Sequence, residues 1–282
     1  MDVKNSRVLI AGLGLIGGSI AKALKNYGFT DVNGYDNNLD TLEKAKDEGV
    51  ISEAFTRLDG YMAKFDFVLC CLSPIYVIPL YQEVAYLMKQ DGVFAEVGGI
   101  KTVMIQQLND AMEKSHQLLS LHPMAGSEKT GYKYAKGDMF VGSTLVITPS
   151  VRTQEKAREW VSVLQEVMGC TKIVELAAKT HDEMIAHVSH VPHVIALALK
   201  AMYPQSNNAQ FAGGSYKSAT RVADVNAALW AGLMSDNKDS LLQSIGEFKK
   251  QLNRLEKKIE SGDRDELEKL LTEMSGDNKE NE

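Results

Sequence analysis

A glycine-rich turn near the N-terminus constrains the fold of this 282-residue chain more than any other feature. Residues 12–17 read GLGLIG, follow an apolar segment at residues 8–11 and lead into an amphipathic segment at residues 19–27. A strand, a GxGxxG turn and a helix in this order are the fingerprint of a dinucleotide-binding βαβ unit. We therefore predict that the chain begins with such a unit.

Each glycine of the turn has its own physical reason. Gly12 permits the tight turn, Gly14 lets the backbone approach a pyrophosphate, and Gly17 lets the helix pack closely on the strand. The amino end of the helix offers free N–H groups and a partial positive charge to phosphates. The predicted cofactor-binding residues of this turn are Gly12, Leu13, Gly14, Leu15, Ile16 and Gly17.

Two further segments complete the predicted cofactor site. Asp36 ends the second predicted strand, about 20 residues after the glycine turn, where an acid accepts hydrogen bonds from ribose hydroxyls. Its carboxylate would repel a 2′-phosphate and no arginine follows closely, so we predict NAD rather than NADP. Ser73 and Pro74 follow a strand end and are predicted to line the cofactor crevice. A simple strand-ending turn explains Ser73 and Pro74 equally well.

The pattern of apolar segments predicts an α/β fold followed by an all-helical domain. Strands are predicted at residues 7–11, 32–36, 67–71, 92–97, 118–121, 143–148 and 172–176. Because helical patterns alternate with them, we predict a Rossmann-type, doubly wound and mainly parallel sheet. Beyond residue 177 only helical spacing remains. The predicted domains are residues 1–177, which contain the cofactor site, and the helical residues 178–282.

The long helix predicted at residues 238–260 carries an apolar stripe with steps of three and four residues. Such a stripe packs either inside its own domain or against a second copy of the chain, and the pattern favours neither. A break at residues 261–263 is followed by further helical spacing at residues 267–274. The last residues read as a polar tail.

Composition excludes several classes of protein. The net charge of −6 argues against nucleic acid or an anionic membrane as the main partner. The three cysteines form no disulfide framework, which fits a reducing, cytoplasmic location. No continuous apolar run is long enough to predict a membrane span.

Histidines supply the candidate chemistry. His122 follows the predicted strand at residues 118–121, so it should lie at the mouth of the cofactor crevice, where a histidine can accept a proton from an alcohol. His187, His190 and His193 repeat every three residues, which is a spacing that metal ligands also use. No cysteine or carboxylate cluster completes such a site and Pro192 interrupts the helix, so we predict no metal.

Four motifs make the chain similar to a known family. They are GLGLIGGS at residues 12–19, HPMAGSE at 122–128, SHVPH at 189–193 and the pattern that runs from Ala219-Thr220-Arg221 to Trp230. In this order they resemble the prephenate dehydrogenases and the related arogenate dehydrogenases of tyrosine biosynthesis. The resemblance covers almost the whole chain.

The resemblance implies a reaction and a set of site residues. NAD would take the C4 hydride of prephenate while His122 accepts the proton of the C4 hydroxyl, carbon dioxide would leave, and 4-hydroxyphenylpyruvate would form. Arg221 would bind a substrate carboxylate and His193 would lie beside the substrate side chain, with His190 in a structural hydrogen-bonding role. Further pocket residues implied by the resemblance are Ser127, Glu128 and Trp230. The resemblance also implies that residues 178–282 bind substrate and join two copies of the chain into a homodimer.

The chain departs from the family pattern at two positions. Relatives commonly carry a serine that contacts the catalytic histidine, and here Gly99 stands in its place, so Thr102 or water would have to substitute. Many relatives carry an aspartate three residues before the arginine, and here Ser218 is found. Gly99 also leaves open a non-catalytic NAD-binding sensor, and arogenate remains the alternative substrate. A C-terminal ACT domain is expected to be absent.

Overall fold

The structure is a computed structural model of the chain. It describes residues 3–59, 64–126, 129–202 and 211–276.

A single eight-stranded sheet organises the first part of the molecule. Its spatial order is β3-β2-β1-β4-β5-β6-β7-β8, and β6 with β7 is the antiparallel pair among otherwise parallel neighbours. The strands are β1 (Val8–Ala11), β2 (Val32–Tyr35), β3 (Ala54–Phe55), β4 (Phe65–Cys70), β5 (Met88–Glu96), β6 (Gln117–Pro123), β7 (Thr144–Ile147) and β8 (Lys172–Glu175). The predicted Rossmann-type fold with a mainly parallel sheet is confirmed.

Helices cover both faces of the sheet because its central strands are apolar on both sides. Val8 and Ile10 of β1 enter one core cluster, whereas Leu9 and Ala11 enter another. In a strand, successive side chains point to opposite faces, so an unbroken apolar run needs cover on each. The helices are α1 (Leu15–Tyr27) and α5 (Glu155–Met168) on one face, α3 (Val77–Val84) and α4 (Thr102–Ala111) on the other, and α2 (Leu39–Asp47) beside the sheet edge.

The second part of the described chain is helical. Helix α6 (Ala178–Ile185) continues through a π-helical turn (Ala186–His190) into α7 (Val191–Met202). Pro192 has no N–H to donate, and the π turn lets the helix pass this position without ending. Helices α8 (Gly214–Thr220), α9 (Ala227–Asp236), α10 (Lys238–Ser261) and α11 (Arg264–Ser275) follow. The predicted break at residues 261–263 is present, with Gly262 in the left-handed conformation at φ 68°.

The helical run from Ala178 to Met202 is long and apolar enough to cross a membrane by length and composition alone. Core helices of other proteins pass the same test, so the observation is weak evidence. At the start of this run, Asp182 accepts hydrogen bonds from backbone N–H groups of the first domain. Those bonds show that the run packs against the α/β part of the protein at this end.

The topology fixes where a ligand can bind. The chain leaves β1 towards β2 on one side and returns on the other side at β4, so the switch point lies between β1 and β4. In open α/β sheets the ligand crevice lies outside the carboxyl ends of the strands at this point. The glycine turn follows β1 at that end of the sheet, and the loop with Ser73 and Pro74 follows β4.

Candidate active site

The glycine turn has the geometry of a phosphate-binding loop. Gly12 has φ 88°, which favours glycine, and a Cβ on Gly17 would lie 1.9 Å from the carbonyl oxygen of Gly12. Around Gly14 there is open space, because a Cβ there would meet no atom of a described residue within 4 Å. Gly12 and Gly17 are therefore required by the fold itself, whereas Gly14 leaves room beside the amino end of α1. Helix α1 begins at Leu15, four residues before the predicted start, so Leu15 and Ile16 belong to its first turn.

Asp36 lies directly after β2 and touches the same turn. Its Oδ2 accepts a hydrogen bond from the backbone N–H of Leu13 at 2.8 Å, and its Oδ1 accepts one from Asn38 at 2.9 Å. The carboxylate is thus held beside the glycine turn at the carboxyl edge of the sheet. This arrangement fits a dinucleotide whose ribose hydroxyls would donate to Asp36.

Pro74 lines a cavity of about 710 Å³ on the neighbouring side of the switch point. Gly98, which follows β5, and Asp236 at the end of α9 line it as well. Ser73 precedes the short 3-10 helix that starts at Pro74, and its side chain makes no capping hydrogen bond. The cavity therefore opens between the first domain and the helical domain, where the predicted cofactor loop meets α9.

His122 lies inside β6, where it pairs with Val146 of β7. Burial and, to a smaller extent, the positive charge of Lys101 together lower the pKa of His122 to about 3. The imidazole is therefore neutral near pH 7 and available as a proton acceptor. Among the described residues, His122 uses only its Nδ1 for a hydrogen bond, which leaves Nε2 without a protein partner.

The partner of His122 is another histidine. His122 Nδ1 lies 2.8 Å from His181 Nε2, and His181 Nδ1 lies 2.8 Å from Asp182 Oδ1. Both His181 and Asp182 are buried at the start of α6. Asn237, also buried, donates to the backbone carbonyl of Asp182 at 2.8 Å and so ties α6 to the start of α10.

A buried ion pair lies next to the hydrogen-bonded side chains of His122, His181 and Asp182. Lys101 Nζ donates to Glu96 Oε1 at 2.7 Å and to the carbonyl oxygen of Leu121, the residue before His122, at 2.6 Å. Both side chains are fully buried, and Ser120 also donates to Glu96. Since removing one partner would leave an uncompensated buried charge, this pair fixes the carboxyl ends of β5 and β6 against each other.

Arg221, His193 and Trp230 surround a second cavity, of about 410 Å³. Gly126, from the turn that follows His122, lines it as well, although His122 itself is not among the described lining residues. His193 stacks on Trp230 with ring centroids 3.8 Å apart and donates from Nδ1 to the Ser189 carbonyl. The Arg221 guanidinium is exposed and has no carboxylate partner within the described ranges.

The two positions that depart from the family pattern have different settings. A Cβ on Gly99 would meet Leu233 of α9 at 3.6 Å, an ordinary van der Waals contact, so the backbone has room for a serine. Thr102 does not replace the missing hydroxyl, because its backbone N–H binds Asp182 and it has no described contact with His122. Ser218 lies exposed in α8.

The remaining predicted residues are Ser127, Glu128 and two histidines of the 187–193 segment. Ser127 and Glu128 lie outside the described residues. His187 is exposed, and His190 is buried edge-on against Trp230 with an Nδ1 that has no described hydrogen-bond partner. The hydrogen bond expected from His190 is therefore not made at Nδ1. No group of three or more histidine, cysteine or acidic side chains in the described ranges could hold a metal ion.

Comparison with known proteins matches both halves of the chain. The nucleotide-binding domain of prephenate dehydrogenase matches residues 20–174, and the dimerization domain of prephenate dehydrogenase matches residues 177–273. The chain belongs to the prephenate dehydrogenase family. The family and the enzyme class that the sequence motifs predict are thereby confirmed.

Individual members of the family support this assignment. The prephenate dehydrogenase of Bacillus subtilis is 28% identical over 95% of this chain and 74% of its own length. The cyclohexadienyl dehydrogenase of Zymomonas mobilis is 29% identical over 92% of this chain and 90% of its own.

A solved structure extends the comparison to the fold and the cofactor. The prephenate dehydrogenase of Aquifex aeolicus in complex with hydroxyphenyl propionate and NAD+ is 28% identical, has a TM-score of 0.89 and matches 98% of both chains. The sequence prediction of NAD agrees with that complex and with the nucleotide-binding family domain.

Sequence reasoning missed His181 and Asp182 in this family member. They lie 59 and 60 positions from His122 and carry no motif that chemistry alone would single out. The available signal was weak: two adjacent polar residues occupy a helix turn whose other inward positions, such as Ile185, are apolar. A buried polar pair implies specific partners, but the pattern does not say which.

Proposed function

We propose that this enzyme catalyses the NAD-dependent oxidative decarboxylation of prephenate to 4-hydroxyphenylpyruvate. The observation that carries the proposal is the cavity that Arg221, His193 and Trp230 form beside the turn leaving His122. An unpaired guanidinium suits a carboxylate substrate, since it is permanently charged and binds a carboxylate through two parallel hydrogen bonds.

The residues divide the chemical work as follows. His122 accepts the proton of the C4 hydroxyl at Nε2, which its neutral state permits. Arg221 holds a substrate carboxylate, and the stacked His193 and Trp230 orient the ring and its side chain. NAD held by the glycine turn and Asp36 would supply the acceptor for the C4 hydride. Loss of the C1 carboxylate as carbon dioxide makes the ring aromatic, which drives the reaction, so the protein mainly orients the substrate and holds the proton.

The fit of the cofactor site rests on the glycine turn. The open space at Gly14, the amino end of α1 and the Asp36 carboxylate together suit the pyrophosphate and ribose of NAD. Asp36 would also repel a 2′-phosphate, so we propose a preference for NAD over NADP. Ser73 and Pro74 would complete the crevice on the β4 side.

We further propose that the enzyme works in the cytoplasm as a homodimer joined through its helical domain. In the single chain, the apolar stripe of α10 has three exposed side chains, Phe248, Leu252 and Ile259. Exposed apolar side chains on one helix face are what an interface with a partner would bury. The three described cysteines are unpaired, which fits a reducing compartment.

The deciding experiment follows NADH absorbance with prephenate and with arogenate, each with NAD and NADP. We expect turnover of prephenate with NAD. Faster turnover of arogenate would identify arogenate as the substrate instead. Arogenate differs from prephenate only in an amino group on the side chain. Tight NAD binding without turnover of either compound would favour the non-catalytic sensor.

The role of His122 is tested by His122→Asn. We expect turnover to be lost, because the amide cannot accept the hydroxyl proton, while NAD affinity stays near the wild-type value. Calorimetric titration with NAD provides that control, and wild-type turnover in the variant would contradict the assignment.

A further inference from the structure

Three side chains form a buried line that ends at the proposed proton acceptor. Asp182 Oδ1 contacts His181 Nδ1, and His181 Nε2 contacts His122 Nδ1, both at 2.8 Å. His181 and Asp182 are 1% and 3% exposed, so water does not compete for these contacts. The line joins the first helix of the helical domain to the carboxyl end of β6.

The direction of each hydrogen bond follows from the charge on Asp182. Its Oδ1 accepts the backbone N–H of Lys101 at 2.9 Å and its Oδ2 accepts that of Thr102 at 2.8 Å. Burial opposes ionisation, but the hydrogen bonds from His181 and Thr102 outweigh it and lower the pKa of Asp182. An ionised carboxylate only accepts, so His181 must donate from Nδ1.

When His181 is neutral, that single donor fixes both imidazoles. A neutral imidazole carries one N–H, so His181 Nε2 is then an acceptor and receives its hydrogen bond from Nδ1–H of His122. The remaining nitrogen of His122, Nε2, keeps its lone pair. This is the nitrogen without a described protein partner, and it is the atom that the reaction requires as a base.

We propose that Asp182 and His181 are positioning residues that hold His122 in the Nε2-accepting tautomer, in the place of the hydroxyl that Gly99 lacks. This inference rests on the proposed dehydrogenase function. The second histidine fixes the ring that the family serine would otherwise contact. No proton leaves the line when Nε2 of His122 takes the hydroxyl proton: the two rings then carry one positive charge and Asp182 one negative charge.

Asp182 also offsets a charge that opposes the reaction. Lys101 is buried beside His122 and disfavours a second positive charge there, while Asp182 favours it. Because Glu96 already neutralises Lys101, the Asp182 carboxylate remains as the counter-charge for a protonated histidine pair. Its loss should therefore slow the chemical step more than substrate binding.

The tautomer is tested directly by nitrogen NMR of the histidine-labelled wild-type enzyme, with His122→Asn used to assign the signals. We expect His122 to carry its proton on Nδ1 and to show an unprotonated Nε2. A proton on Nε2 of His122 would overturn the proposal whether or not the enzyme turns over prephenate. This result is therefore separable from failure of the proposed function.

Activity provides the second test, with His181→Phe and Asp182→Asn. Both should lower kcat at least about 10-fold, as loss of orienting groups does elsewhere, with KM and NAD affinity within about 3-fold of wild type. The matched control is His116→Phe, which replaces another buried histidine that bonds to Tyr81 in the first domain. It should lower stability and leave kcat unchanged. An unchanged kcat in a folded His181→Phe enzyme would overturn the proposal.

Discussion

Arg221 forms no salt bridge with a carboxylate of the described residues, and it lines a cavity. Arg7, Arg158 and Arg254 each pair with a described carboxylate, whereas Arg221 forms no salt bridge, even with Asp224, which lines the same cavity. An unpaired guanidinium beside an aromatic ring is suited to an anionic ligand, which would supply the missing carboxylate. We therefore propose that Arg221 binds a substrate carboxylate.

We expect Arg221→Ala to raise the KM for prephenate about 10- to 100-fold, because a hydrogen bond to a charged group contributes about 1.5–3 kcal/mol. The affinity for NAD should not change, since Arg221 lies away from the glycine turn. Steady-state kinetics measure the effect, and Lys217→Ala, an exposed cation on the preceding helix, is the control. Equal KM values for Arg221→Ala and wild type would remove Arg221 from the substrate site.

At the scale of elements, the glycine turn contains glycines with two different roles: one lets α1 pack on β1, and the other leaves space for a ligand. Gly17 packs against the carbonyl of Gly12, so its missing side chain lets α1 approach β1. A Cβ on Gly14 would meet no atom of a described residue within 4 Å, so we propose that its missing side chain makes room for a ligand. On this proposal the same motif contains one glycine that the fold requires and one that the ligand requires.

This division predicts opposite results for two alanine substitutions. Gly17→Ala should destabilise the protein by about 1–3 kcal/mol or more, because the added methyl group overlaps backbone. Gly14→Ala should leave the free energy of unfolding within about 1 kcal/mol of wild type and weaken NAD binding. Urea denaturation and NAD titration of both variants measure these effects. If Gly14→Ala bound NAD as tightly as wild type, the phosphates would have to lie elsewhere.

The elements themselves were largely predictable from sequence, and their contacts were not. All seven predicted strands are present, and those at the centre of the sheet are near-continuous apolar runs, as buried parallel strands are. The two-residue β3 was missed, since Ala54–Phe55 is too short to show a pattern. The His122–His181 contact could not be predicted, because periodicity places residues on faces and does not pair faces that are far apart in sequence. The roles predicted for Ser127 and Glu128 stay predictions.

At the scale of the whole molecule, buried histidines couple stability to pH. Burial lowers the pKa of His122 to about 3 and that of His190 to about 4, against about 6.5 for an exposed histidine. Below about pH 6.5 the unfolded chain therefore binds more protons than the folded one, and stability falls as pH falls. Asp182, whose pKa is lowered, contributes in a separate window, because its effect is lost only below about pH 4.

We expect the free energy of unfolding to decrease between pH 7.5 and pH 5, by about 2 kcal/mol for each of the two histidines. Urea denaturation across this range measures the slope. His190→Gln should make the slope shallower, because its side chain does not titrate. His187→Gln removes an exposed histidine and should leave the slope unchanged. A slope that does not respond to His190→Gln would show that His190 does not bind the proton.

The exposed stripe of α10 bears on the assembly of the molecule. Within the single chain Leu241 is buried at one end of the stripe, whereas Phe248 is 37%, Leu252 50% and Ile259 63% exposed. A stripe that continues past the core implies a second surface, since monomers seldom expose contiguous apolar patches. Periodicity alone leaves open whether the stripe packs inside its own domain or against a second copy. The exposed side chains favour a second copy, and so does the match of residues 177–273 to a dimerization domain.

We expect Leu252→Glu to convert a wild-type dimer into a monomer, because the added carboxylate would be buried without a partner between the two helices. Sedimentation at low micromolar concentration measures the change. Gln243→Glu adds the same charge to the opposite side of α10, roughly 180° from the stripe at 3.6 residues per turn, and should leave the dimer intact. If Leu252→Glu also stayed dimeric, the interface would have to use another face of the helical domain. The exposed stripe would then need a different explanation.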